Sequence, residues 1–477
     1  MDFDSKDLLL LDSIEYVSYL MEKVIYDDFN LDRINNDDIK NIDKINTTFN
    51  ETILSEYIIK FKKDSTYQEI LKFLFNKVVE KKSKMYILFT NYVLHNSNLI
   101  VGKHKIYFDE IDLWQTKSAS IDIRKALEEF RYKVLKSILI SEYTILKKEN
   151  KLCKKYLDTN LFSFISGCNI HYMDILKYNI ISYLKNTEET YRMLFLKFSK
   201  LIDGDKCSKA DINFILKGRE WEHNLFSSVM LEKSLEVLKE LFANRNLQKY
   251  INIDIKKRTQ KSSRAFCSKI LLPSNIKAVI NPVGGYQDWK DSFHEVGHVL
   301  TYINLVNEPK GILRVRSSLL DETIAIFFEN LVNDTEWYNF CFGKKYPNNL
   351  LEFIHFSNLL SNRRQAGMVL YELELYTQKK WSLKNCKNLY TTIMEQVFLV
   401  PISDYCCLHF IDHKSYTYLF ATSLANQLYA YFRRVFGQRW FSNAEAIYEI
   451  QNILKFNTVN DLLKFLNTET IDFSYLF

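Results

Sequence analysis

The sequence predicts a mainly α-helical protein with one small β-hairpin, and three observations carry that reading. All five prolines (Pro273, Pro282, Pro309, Pro347 and Pro401) lie beyond residue 272, and only 11 glycines occur in 477 residues, so the first half holds almost nothing that breaks a helix. Apolar residues recur at three- and four-residue spacing over long runs of that half, the period of an amphipathic helix. After residue 250 the texture changes to a short β-branched stretch, directly ahead of the segment DSFHEVGHVL (291–300).

Taken in order, the N-terminus MDFDSKDLLLLDSIEY is acidic and its apolar run is four leucines long, which fits neither a signal peptide nor a spanning helix. Longer apolar stretches elsewhere are broken by charge every few residues, so the chain is expected to be soluble and off the membrane. The Asn- and Asp-rich segment 29–53 reads as a loop or irregular connection. Residues 67–94 and 121–157 read as long amphipathic helices. RAFCSKILL (264–272), a turn at Pro273-Ser274-Asn275, and IKAVINP (276–282) read as a hairpin, with Pro282 suited to an edge strand. Gly284-Gly285 then bends the chain into a helix from about 288 to 306, stopped before Pro309. A further helix is expected over SSLLDETIAIFFENLV (317–332), opened by Ser318 and Asp321 as a capping box.

Length exceeds the comfortable size of one hydrophobic core, so two or more lobes are expected, and residues 1 to about 190 hold no recognisable motif. The 64 basic and 58 acidic residues are interspersed and leave a net charge of only +6, a solvated surface rather than a nucleic-acid footprint. Eight cysteines at irregular positions form no C-x-x-C pair, which points to small buried residues of a reducing compartment and so to the cytoplasm.

The chemistry concentrates at His294-Glu295-Val296-Gly297-His298. On a helix, positions i and i+4 share one face, so both imidazoles can reach a single metal ion from one rigid element. Glu295 lies about 100° further round, beside such an ion, where a carboxylate can accept a proton from water. Gly297 weakens a helix by about 1 kcal/mol relative to Ala, which makes sense if another backbone or a substrate comes close there. A catalytic zinc needs a third protein ligand and an open fourth position. Thr301 and Asn304 stand where a metzincin would need Gly and His, which removes that class. The next acidic helix supplies the candidate: Glu322, 24 residues after His298, with Glu329 or Asp321 orienting ligands through hydrogen bonds.

HEVGH followed by ETIAIFFEN resembles the M3 family of zinc peptidases, the thimet oligopeptidase and oligoendopeptidase F group. The run from NIDIKKRTQKSSRAFC to the motif is similar to the segment ahead of the zinc helix in the oligoendopeptidase F-like branch, so the resemblance covers roughly residues 230 to 435. It implies a zincin-like, mostly helical fold in two lobes around a deep substrate channel, with residues 1–190 as a helical lobe opposing a catalytic lobe of residues 191–477, one zinc ion per chain, and hydrolysis of short peptides. The family's Tyr-rich segment, whose hydroxyls stabilise the oxyanion, matches HFIDHKSYTYLFATSLANQL (409–428), with Ser415 where one of its tyrosines would stand. Tyr418 is the first candidate and Tyr416 the second, and His409 is the candidate for substrate contact ahead of His413. Gly284 and Gly285 are expected to line the substrate path, with IKAVINP as an edge strand on which an extended peptide docks.

The expected function is a zinc endopeptidase of short unfolded peptides. The alternatives are a weak or inactive peptide-binding accessory protein of the same fold, and a protease specific for one protein.

Overall fold

The computed structural model describes the chain apart from residues 1–4, 31–35, 64–66, 168–169, 201–206, 244–249, 257–264, 273, 283, 306–309, 379–380, 410, 412–413 and 477. The chain is 76% helical with only small sheets, as the scarcity of helix breakers requires. The two long helices stand where the periodicity puts them, at Gln68–Asn96 and Ile121–Leu157. The second is opened by the Ser120 hydroxyl, which accepts from the Ile123 N–H, and closed by Asp158 in the left-handed region. Segment 29–53 is not one loop. It contains a helix over Asn36–Asn46, whose first-turn Asp37 and Asp38 suit the positive end of the helix dipole, and Asp38 pairs with Lys23 at 2.7 Å.

Contacts divide the chain into two units that do not follow the split at residue 190. One comprises Met1–Val78, Asn224–Tyr346 and Phe420–Tyr475; the other comprises Val79–His223, Pro347–Leu419 and Leu476–Phe477. The first 78 residues join the metal-motif unit because the N-terminal helix Ser5–Asn30 is tied to distant segments. Glu15 pairs with Arg314 at 2.7 Å, and the Ser268 hydroxyl donates to Glu22 at 2.8 Å. The second unit is knit by buried cations. Fully buried Arg124 pairs with Asp211 at 2.7 Å, and Arg363 donates to the carbonyls of Leu184, Gln396 and Val397.

Strands β1 (Asn98–Val101) and β2 (His104–Tyr107) form a hairpin in the second unit. In the first unit β3 (Ile251–Asp254), β4 (Phe266–Leu271) and β5 (Asn275–Val279) form a sheet in the order β3-β5-β4. The hairpin of β4 and β5 is present, although Pro273 of its expected turn lies outside the described residues. Its second strand is not an edge, however. β3 adds in parallel and makes β5 central, so β5 has no free edge on which a peptide could dock. At β4 the Arg314 guanidinium donates to the carbonyls of Lys269 and Ile270.

Gly284 and Gly285, at φ 89° and 99°, make the turn from the sheet into the motif helix Tyr286–Asn304, and the Gly284 N–H donates to Asp288 of its first turn at 2.5 Å. The expected end of that helix, Val306, lies outside the described residues, as does Pro309. Its first half is anchored by an aromatic cluster in which Trp289 meets Phe226, Phe293 and Tyr338. Among the described residues no helix is long and apolar enough to cross a membrane, and no disulfide joins the cysteines.

Candidate metal centre

The motif helix packs against the acidic helix Ser318–Glu329, and residue order shows the two running antiparallel. His294 meets Glu329, Gly297 meets Ala325, and Tyr302 meets Asp321. The missing side chain of Gly297 sets the separation, since a Cβ there would lie 2.8 Å from Ala325 Cα and 3.3 Å from its carbonyl oxygen. The close approach inferred for Gly297 is therefore that of a second helix backbone.

That approach gathers the proposed ligands. Glu322 Oε2 is 3.1 Å from His294 Nε2 and 3.8 Å from His298 Nε2. Among the described residues His294, His298 and Glu322 are the one group of His, Cys, Asp or Glu whose donor atoms all lie within 4.8 Å of one another. Ligands about 2.0–2.1 Å from a tetrahedral zinc lie roughly 3.3 Å apart, so the spacing and the N,N,O donor set fit that ion. Glu329 accepts from His294 Nδ1 at 3.1 Å, which fixes the tautomer and leaves Nε2 as the ligating nitrogen. His298 differs, because its buried Nδ1 has no hydrogen-bond partner among the described residues.

Electrostatics follow from packing His294, Glu295, His298, Glu322, Glu329 and Lys290 into a largely buried place. Burial opposes a charge on His294, but the hydrogen-bonded carboxylates of Glu322 and Glu329 outweigh it and hold its pKa well above the usual value. A metal cation would take over the charge-compensating place of that proton. Burial pulls His298 down to about 4, against the pull of Glu322. Burial lifts Glu295 to about 7, with His294 acting downward and Glu322 upward, so its carboxyl titrates near neutrality, as a general acid–base should. Glu329 goes the other way: burial would raise it, yet Lys290 and His294 bring it to about 2.

Asp321 does not touch a ligand. It accepts from the Tyr302 hydroxyl at 2.9 Å and pairs with Arg316 at 3.2 Å, while the Tyr302 ring stacks on that of His298. No capping box forms at Ser318 either: Ser317 is the N-cap, with no side-chain hydrogen bond, so the third helical position is Leu320 and not Asp321.

The remaining candidates lie at the start of the helix Ser415–Phe436 or ahead of it, in the second unit. Tyr416 is buried and its hydroxyl donates to the Ile165 carbonyl at 2.8 Å. Tyr418 is partly exposed. His409 Nδ1 pairs with Glu142 at 2.9 Å and its ring meets Phe108 edge-on, whereas His413 lies outside the described residues. Sequence reasoning missed Lys290, whose ammonium is 2.9 Å from Glu329. Its signal was a lysine one turn before His294 on a helix with little exposed surface.

No family model matches the sequence, and no curated protein matches it. Solved structures do. A Bacillus anthracis strain Ames protein described as an oligoendopeptidase F aligns over 99% of this chain and 84% of its own, with TM-score 0.59 and 14% identity. PZ peptidase A, solved with an inhibitor, aligns over 84% of this chain and 73% of its own, with TM-score 0.55 and 13% identity. The chain has the fold of these peptidases. Trypanosoma cruzi metallocarboxypeptidase 1 shares it too, over 98% of both chains, at TM-score 0.60 and 11% identity. In this peptidase fold the motif helix and the acidic helix are the pair that brings His294, His298 and Glu322 together.

Proposed function

We propose that this protein is a zinc-dependent peptidase that hydrolyses short unfolded peptides internally, using one zinc ion per chain. The observation that carries the reading is the convergence of His294 Nε2, His298 Nε2 and Glu322 Oε2, with Glu295 one position along the same helix. Those three residues would hold the ion, which when bound supplies Lewis acidity, polarising a carbonyl and lowering the pKa of water toward 7. Glu295 accepts a proton from the water attacking the peptide carbonyl and returns it to the departing amine nitrogen, so no proton is gained or lost. Glu329 keeps the His294 proton on Nδ1 throughout. On the family resemblance alone, the Tyr418 hydroxyl is the first proposed donor to the developing oxyanion and that of Tyr416 the second. The limit to short peptides rests on the resemblance.

The test is zinc content together with cleavage of a mixed peptide library, read by mass spectrometry, for the wild type and Glu295→Gln. Glu295 is not a ligand, so the variant should keep its zinc while turnover falls about 10²- to 10⁴-fold. Internal cuts in the wild type support the endopeptidase reading. Stepwise loss of C-terminal residues would move it to a carboxypeptidase, the activity named for the Trypanosoma cruzi protein of the same fold. Zinc bound without cleavage of any peptide or protein would leave the accessory reading, and cleavage of one protein alone the specific-protease reading.

A further inference from the structure

Lys290 lies on the motif helix one turn ahead of His294, and both side chains reach the same carboxylate. Glu329 Oε1 takes the ammonium at 2.9 Å and Oε2 takes His294 Nδ1 at 3.1 Å. We propose, on the metallopeptidase reading above, that Lys290 is a positioning residue for the metal, fixing the Glu329 carboxylate in the orientation that holds His294 with Nε2 toward the ion.

The geometry favours this over an ordinary buried ion pair. A carboxylate gripped through both oxygens cannot rotate about its last bond, so the imidazole it accepts from is fixed in turn. Lys290 itself has little freedom: its side chain is 9% exposed and its ammonium lies 5.8 Å from the centre of the Tyr286 ring. Both of Glu329's partners project from one helix, so the arrangement also pins the acidic helix at the end opposite the Tyr302–Asp321 contact. Among the described residues His298 Nδ1 has no hydrogen-bond partner, so the hydrogen-bonded orientation of the two imidazoles lies on the His294 side. Buried pairs of this kind add little net stability compared with apolar packing, so a role in alignment accounts better for a lysine here.

The experiment uses the full chain with Lys290→Met, Lys290→Arg, Glu329→Gln and the double variant Lys290→Met/Glu329→Gln. Zinc affinity is read by chelator competition, the fold of the metal-stripped protein by circular dichroism, and kcat and KM on a cleaved peptide. Lys290→Met should weaken zinc binding about 10- to 100-fold, the usual consequence of losing an outer partner of a ligating histidine. At saturating zinc its kcat should fall with KM unchanged, and Lys290→Arg should restore both affinity and kcat. Acting only through Glu329, the lysine should add nothing once that carboxylate is gone, so the double variant should match Glu329→Gln. Wild-type affinity in Lys290→Met, or a double variant much weaker than Glu329→Gln, overturns the assignment. If Lys290→Met does not fold, Lys290→Arg against wild type and the double variant against Glu329→Gln still decide, since the double variant removes both buried charges together. A wild-type chain that binds no zinc sinks the metallopeptidase reading itself, whereas zinc binding indifferent to Lys290 removes only this role.

Discussion

Gly297 faces Ala325 so closely that a single added carbon would stand 2.8 Å from the Ala325 Cα. The obstacle is backbone, which cannot swing aside, so Gly297→Ala must push the two helices apart. Ala is worth about 1 kcal/mol more than Gly in a helix, but overpacking typically destabilises by about 1–3 kcal/mol. We expect a net loss of stability by denaturant unfolding and weaker zinc binding, because the same shift carries Glu322 away from the histidines. A variant more stable than wild type with unchanged zinc affinity would show that the contact does not set the helix separation.

Neighbouring acids on the acidic helix should behave differently. Glu322→Ala removes one of the three proposed ligands and should abolish zinc retention while leaving the fold in place. Asp321→Ala strands the buried Arg316 cation and the Tyr302 hydroxyl, which should lower stability by roughly 3–5 kcal/mol. Metal analysis beside thermal melts separates the two. Loss of zinc from a folded Asp321→Ala together with its retention by Glu322→Ala would exchange their roles.

Tyr416 and Tyr418 should also part company. Removing the Tyr416 hydroxyl breaks its bond to the Ile165 carbonyl, so Tyr416→Phe should lower stability by about 1 kcal/mol and leave turnover near wild type. Tyr418→Phe should lower kcat more than it changes KM, as expected for a hydroxyl acting in the transition state. A larger kcat loss in Tyr416→Phe would transfer the assignment.

Acid should destabilise the N-terminal region through Asp7. Burial would raise the pKa of this carboxyl, but hydrogen bonds from Lys60, Tyr57 and Tyr67 outweigh burial and lower it. Because the folded value lies below the unfolded one near 3.9, the cluster's contribution is present in full above the unfolded value and is lost as pH falls from there through the folded one. Asp7→Asn should therefore be less stable than wild type at pH 7, by roughly 1.5–3 kcal/mol for hydrogen bonds to a charged group. The gap should narrow below pH 4. Melting curves from pH 3 to 7 check this, and parallel wild-type and variant profiles would refute it.

What the sequence determined by itself was local. Helix periodicity and the distribution of proline are properties of neighbouring residues, so the helices 68–96 and 121–157 and the hairpin of β4 and β5 were legible. Two histidines four apart share a helix face whatever the rest of the chain does, and the candidacy of Glu322 followed from a carboxylate on the next apolar helix. Tertiary structure decided everything that depends on which segments meet. β3 comes from upstream of the hairpin and turned β5 from an edge into the sheet's centre, and Arg314 drew the first helix into the motif unit through Glu15. Asp321 and Glu329 look alike in sequence, but antiparallel packing sends one to Tyr302 and Arg316 and the other to His294 and Lys290. The physical reason is range: backbone propensity and side-chain periodicity act over a few residues, whereas a buried charge is placed by whichever partner the packing of distant helices delivers to it.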